Sequence, residues 1–191
     1  MANAPHHLIF EGPELSGKSY LMHGVYDFLE VKYNQNRGIL DGCHWFNCDV
    51  GIFGTEHSRF CIEKYVEMLE EMKEKNVLFE KFHISDIVYQ QLYNNKVVMY
   101  DYIEKGLQDL NVKIILCTVS PETAIFEKRI EDRLKLYPHY QRILKDPEWY
   151  IEQQKKYKEE ISRTNLEYLE VDMTEIPNLK SDEILSWIGE K

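Results

Sequence analysis

Near the start of the chain, the stretch Gly12-Pro13-Glu14-Leu15-Ser16-Gly17-Lys18-Ser19 carries the spacing G-x-x-x-x-G-K-[ST]. That spacing suits phosphate. Two glycines let the backbone turn sharply and bring N–H groups onto phosphate oxygens. A helix opening at Gly17 adds a partial positive charge at the same point. Lys18 is long enough to reach the β and γ phosphates of ATP, and the Ser19 hydroxyl suits Mg2+. Tyr20 follows directly and belongs to the same nucleotide-contacting stretch.

A second set of residues could act on the phosphoryl group from outside the loop. Glu80 ends the apolar run "NVLFE", and Lys81 comes next. A carboxylate at a strand end can take a proton from a hydroxyl or help to order Mg2+. Further on, "KRIEDRLKLYPHYQRILK" (128–145) carries Lys128, Arg129, Arg133, Lys135, Arg142 and Lys145 against Glu131 and Asp132 alone. In a chain of net charge −10 this is a local inversion of sign. Arg129 and Arg133 are four apart, so a helix turns them the same way. Guanidinium groups there could stabilise charge that develops during transfer.

These residues need a scaffold, and the pattern supplies one. "HLIFEG" reads as a strand, followed by a helix over 17–33 with Tyr20, Leu21, Val25, Phe28 and Leu29 at helical spacing. A second strand lies somewhere between "NRGIL" and "WFNC". Residues 55–75 form an amphipathic helix with Ile62, Tyr65, Val66, Leu69 and Met72 on one face. "NVLFEKF" reads as a buried strand, and a helix follows with Ser85 as its N-cap. Another helix covers 97–110. "VKIILCTVS" is a continuous β-branched run, as expected in the middle of a parallel sheet. Pro121 opens the next helix, in which Phe126, Ile130 and Leu134 recur every four residues. A helix over 148–163, the strand "LEYLEVD" and a closing helix over 181–190 complete the chain. Strands alternating with helices predict an α/β domain spanning 1–191, with a five-stranded parallel sheet covered on both faces and a helical lid at about 128–146.

Composition narrows the function classes. A chain of 191 residues with 43% hydrophobic content suits one domain with a real core. No apolar run approaches the ~20 residues needed to cross a bilayer, so no membrane partner is expected. The N-terminus "MANAPHHLIFEG" has no basic region ahead of an apolar stretch, which points to a cytoplasmic protein. Net charge −10 disfavours a polymeric nucleic acid as partner while leaving a local site for a small anion. Cys43, Cys48, Cys61 and Cys117 match no tight zinc spacing and read as reduced structural residues.

"FEGPELSGKS" resembles the loop of the thymidylate kinase family, F-E-G-x-D-G-x-G-K-[ST]. "EKFHISDIVYQ" (80–90) falls in register with that family's D-R-Y-x-x-S-S-x-A-Y-Q through Ser85, Tyr89 and Gln90, with Glu80, Lys81 and Phe82 as like-for-like changes. The same block resembles the E-R-S-x-x-S-D signature of deoxynucleoside kinases through Glu80, Ser85 and Asp86. Both families share the P-loop kinase fold, and both blocks sit where that fold needs them. The resemblance implies ATP and Mg2+ as cofactors, a nucleoside monophosphate or nucleoside as acceptor, and a homodimer. It places Lys81, Phe82, Ser85, Tyr89 and Gln90 at the acceptor, with Tyr89 on the sugar and Gln90 on a base edge. It makes Lys18, Glu80, Arg129 and Arg133 the catalytic set, the arginines acting from the lid, and Ser19 and Glu80 the metal-side residues. Three departures stand out. Glu14-Leu15 replaces Asp-Gly in the loop. Lys81 replaces an arginine and offers a point charge in place of a two-pronged fork. Glu80 stands where nucleotide kinases prefer Asp.

The reading that follows is a thymidylate kinase-like enzyme acting on dTMP or a related pyrimidine monophosphate. A deoxynucleoside kinase is the alternative, favoured by Glu80 as a base for a 5′-hydroxyl. A P-loop ATPase or nucleotide sensor, or a phage-type kinase of modified DNA bases, is a further one. Against a sensor, the chain leaves little room for an effector domain and has no apolar strand ending in Asp-Glu.

Overall fold

The computed structural model describes residues 4–49, 51–175 and 180–190. Five strands, β1 (His7–Glu11), β2 (Cys43–Asn47), β3 (Asn76–Glu80), β4 (Lys113–Thr118) and β5 (Tyr168–Asp172), form one sheet. Its order is β2-β3-β1-β4-β5, and every pairing is parallel. Helix α1 (Lys18–Tyr33) follows β1, and α2 (Ser58–Glu71) follows β2. Helices α3 (His83–Asn94) and α4 (Asp101–Asp109) join β3 to β4. Helix α5 (Thr123–Leu136), a 3-10 turn at Pro138–Arg142 and α6 (Pro147–Ile161) join β4 to β5, and α7 (Lys180–Trp187) comes last.

Strands β1 and β3 are buried along their whole length. Their side chains alternate between two cores, as the two-residue period of a strand requires. Leu8 and Phe10 meet Leu21, Val25, Phe126 and Ile184 on one face, while Ile9 and Phe79 meet Ile62, Leu69, Val88 and Leu107 on the other. Helix α6 serves both cores, with Tyr150 in the first and Tyr157 and Ile161 in the second. Emptying such a site is expensive: Phe79→Ala costs about 3–5 kcal/mol.

Several boundaries differ from the sequence pattern. Helix α3 starts at His83, so Ser85 lies inside its first turn and is not its N-cap. Its hydroxyl donates to the Glu11 carboxylate instead of to its own helix. Helix α5 starts at Thr123, two residues beyond Pro121, and α4 starts at Asp101, four beyond 97. Part of the segment leading into the closing helix, 176–179, lies outside the described residues.

Candidate active site

The loop between β1 and α1 depends on its glycines. Gly12 has φ 132, and a Cβ there would stand 2.2 Å from the Cys117 carbonyl oxygen on β4. Gly17 has φ 87. Leu15, where the resembled loop has glycine, also takes a left-handed φ of 64. A side chain in that region costs roughly 1 kcal/mol, so something must hold it. Arg129 does: its Nη1 donates to the Leu15 carbonyl at 2.5 Å, and its Nη2 donates to the Met173 carbonyl. The Glu14 N–H is held by Gln153 Oε1 at 2.8 Å. Pro13 and Ser16 are turned inward, and Tyr20 is about half exposed on the first turn of α1.

Lys18 is buried and folds back on the loop. Its Nζ donates to the carbonyls of Gly12 at 2.8 Å and Pro13 at 2.6 Å. Burial, reinforced by the charge of Lys81, pulls its ammonium down to about 8. Ser19 Oγ donates to Glu80 Oε1 at 2.5 Å, across from the end of β3. Two hard oxygen donors in contact at a phosphate-type loop fit Mg2+, a metal that takes few protein ligands and brings phosphate and water oxygens with it. Among the described residues there is no cluster of three or more His, Cys, Asp and Glu side chains that could hold a metal by itself.

Lys81 has a left-handed φ of 62. Its Nζ donates to Asp49 Oδ2 at 2.6 Å and to the Tyr89 hydroxyl at 2.7 Å. Tyr89 in turn donates to Glu14 Oε1 at 3.2 Å. Burial alone would lower the Lys81 ammonium, but Asp49, with Tyr157 and Glu14, outweighs it and holds the group above its usual value. A charged lysine is thus strung between the loop and the end of β2. Asp49 was not anticipated; an acidic residue two positions past the end of β2 was the available signal.

Other expected residues lie elsewhere. Phe82 has no exposed surface and packs against the rings of Tyr65 and Phe79, and Ser85 is sealed between Glu11 and Tyr157. Both are covered by protein and have no open surface. Gln90 lies along a stripe of α3 with Asp86 and Asn94, four residues apart, on the wall of a cavity of about 530 Å3 shared with Arg59 and Tyr100. The Asp86 carboxylate accepts from the Gly54 N–H and from the Tyr100 hydroxyl, each at 2.7 Å. Gln90 Nε2 donates to the Thr55 carbonyl at 3.0 Å. The two lid arginines part company. Arg129 is half-buried on the loop, whereas Arg133 lies over the rings of Tyr137 and Tyr140, 5.7 and 5.2 Å from their centroids.

The fold recurs in solved structures. YorR protein from Bacillus subtilis, in complex with phosphorylated GDP, matches with TM-score 0.66 at 17% identity over 95% of this chain and 94% of that one. Thymidylate kinase from Ehrlichia chaffeensis matches with TM-score 0.58 at 14% identity, over 97% and 99%. Deoxyadenosine kinase from M. mycoides, with dCMP and dCDP bound, matches with TM-score 0.57 at 14% identity, over 97% and 100%. The chain has the P-loop kinase fold. No protein-family model and no curated protein matches it. In a P-loop kinase fold the loops at the carboxyl ends of the strands line the ligand crevice, and here that edge carries Gly12–Ser19, Asp49, Glu80 and Lys81. Among the described residues no helix is long and apolar enough to cross a membrane.

Proposed function

We propose that the protein transfers the γ-phosphoryl group of ATP, with Mg2+, to a nucleoside monophosphate, with dTMP or a related pyrimidine nucleotide as acceptor. The observation that carries this is the direction of Glu80. Its carboxylate is bonded to Ser19, on the metal side of the loop, and the cation beside it is Lys81. A monophosphate is already ionised and needs a cation more than a base. Lys81 supplies that cation and keeps its proton. The phosphorylated GDP carried by YorR and the dCMP carried as a product by the deoxyadenosine kinase support a site for nucleotides.

In this reading the loop N–H groups, Lys18 and the N-terminus of α1 bind and orient the ATP phosphates. Ser19 and Glu80 would hold Mg2+, which neutralises phosphate charge when bound. Tyr89 and Glu14 form a hydroxyl–carboxylate pair suited to a sugar hydroxyl. The cavity along Asp86, Gln90 and Asn94 would take the base. Arg133, stacked on the lid tyrosines, is the guanidinium free to swing toward the transferring group.

A second reading rests on Asp49. Were the acceptor a nucleoside, its 5′-hydroxyl would need a base, and Asp49 beside Lys81 fits that task better than Glu80, which is turned to Ser19. An ADP-release assay over a panel of nucleosides and monophosphates decides between them. Turnover of pyrimidine monophosphates is expected. Turnover of nucleosides with monophosphates left untouched would overturn the first reading, and a protein inactive on the whole panel would overturn both.

A further inference from the structure

Glu11 is the last residue of β1 and directly precedes the phosphate loop. It has no exposed surface, yet it is a carboxylate in the middle of the sheet's edge. A group that costly to bury needs a reason, and neither phosphate binding nor acceptor binding uses it. Its partners all belong to one segment. Oε1 accepts from the Phe82 N–H at 3.0 Å and the Ser85 N–H at 3.2 Å, and Oε2 accepts from the Ser85 hydroxyl. The Ser85 hydroxyl also meets the Tyr157 hydroxyl at 2.8 Å, which ties α6 into the same knot.

These are the donors that the first turn of α3 leaves unsatisfied. Every helix has such orphan N–H groups, and a side chain from its own N-cap normally takes one. Here the N-cap is Phe82, which has no oxygen to offer, and no side-chain cap bond is made by it. Glu11 caps α3 from another strand, 74 residues away in the chain from Ser85. The residues just before that cap are Glu80 and Lys81. Lys81 sits at φ 62 and its N–H is donated to the Phe10 carbonyl at 2.9 Å. The backbone at Lys81 is therefore pinned on both sides by neighbouring residues of β1, Phe10 before it and Glu11 after it. The same two residues lead straight into Gly12.

We propose that Glu11 is a positioning residue for phosphoryl transfer, fixing Glu80 and Lys81 against the phosphate loop through its cap on α3. It touches neither nucleotide nor metal. It converts the covalent proximity of β1 and the loop into a fixed placement of the acceptor-side cation. The catalytic part of this inference rests on the function proposed above, and its structural part does not.

Two substitutions separate geometry from charge. Glu11→Asp keeps the carboxyl group and withdraws it by one methylene, out of reach of the Phe82 N–H. Glu11→Gln keeps the length and an acceptor oxygen for both N–H groups. With Mg-ATP and the acceptor found in the panel, Glu11→Asp is expected to lower kcat ~10–100-fold, the scale of a misplacement of about 1 Å, with ATP KM within about threefold. Glu11→Gln is expected to restore most of the turnover. Amide hydrogen exchange at residues 82–85 should quicken in Glu11→Asp while the second half of α3 stays as protected as in the wild type. Unchanged exchange at 82–85, a Gln variant as poor as Glu11→Ala, or a loss of kcat no larger than the loss of folded protein would each overturn the proposal. A wild-type protein inactive on every acceptor would sink the proposed function, and the exchange comparison would still decide for or against the cap.

Discussion

Lys18 gives the sharpest numerical test of the loop, because its ammonium is held at about 8 before any phosphate arrives. Burial is the main cause, and the charge on Lys81 adds to it, against the pull of Cys117, Glu80 and Glu14. Bound triphosphate brings several negative charges to within contact of the Nζ and restores the proton well above this range. Binding then takes up a proton wherever the free loop has lost it. Apparent affinity for Mg-ATP should weaken by a factor of 1 + 10^(pH − 8), which is about 2-fold at pH 8 and ~10-fold at pH 9 relative to pH 6–7. Isothermal titration at pH 7, 8 and 9, in buffers of different ionisation enthalpy, reads both the affinity and the protons taken up. Roughly half a proton is expected at pH 8 and ~0.9 at pH 9. Lys18→Met should bind weakly and without this slope. The sign for stability is the reverse. The unfolded lysine keeps its proton up to its ordinary value of 10.5 and the folded one loses it near 8, so the unfolded state binds more protons between them. The free protein should therefore gain stability from this group as pH rises from about 8 toward 10.5. Wild-type affinity that is flat from pH 7 to 9 would refute the account of a buried, depressed Lys18.

Glu80→Gln should lower turnover in a way that raised Mg2+ partly recovers, since the carboxylate bonded to Ser19 serves the metal; steady-state kinetics over a Mg2+ series checks this, and a loss indifferent to Mg2+ would make Glu80 a base. Asp49→Asn should raise the KM for a monophosphate acceptor, because it removes the carboxylate that keeps Lys81 charged, with kcat within about tenfold, whereas a ~10²–10⁴-fold fall in kcat would mark it as the base of a nucleoside kinase. Arg133→Ala should lower kcat by ~10²-fold with ATP binding intact, while Arg129→Ala, which unties Leu15 and Met173, should raise the ATP KM and lower Tm; the reverse assignment in paired kinetics and melting curves would refute the division. Gly12→Ala places a Cβ 2.2 Å from the Cys117 carbonyl, so a loss of ~3 kcal/mol or more is expected, seen as a Tm drop of ~6–12 °C; a wild-type melting curve would show that the loop does not need glycine there.

By itself the sequence determined the parallel α/β architecture, because strand and helix periods are short-range signals: "VKIILCTV" can bury both faces only inside a sheet. It singled out the glycine-bearing loop between β1 and α1 for the same reason, since Gly12, Gly17, Lys18 and Ser19 fall within one short stretch of chain. It also placed Glu80 and Lys81 at a strand end, through a local motif. Tertiary structure decided what these residues face. Ser85 looked like a cap because a serine before an apolar run usually is one, but the cap came from Glu11 on β1, the strand that pairs with β3 in the sheet. Arg129 and Arg133 share a helix face by spacing, yet Arg129 meets Leu15, 114 residues away, while Arg133 finds two tyrosines beyond the end of its own helix. Phe82 matched a binding motif and was drawn into the core instead, because burying an aromatic ring is worth about 1.5–3 kcal/mol wherever packing allows it. Partners of this kind are set by how crossovers bring distant segments to one edge of the sheet, and the free energy that selects them exists only once that edge is assembled.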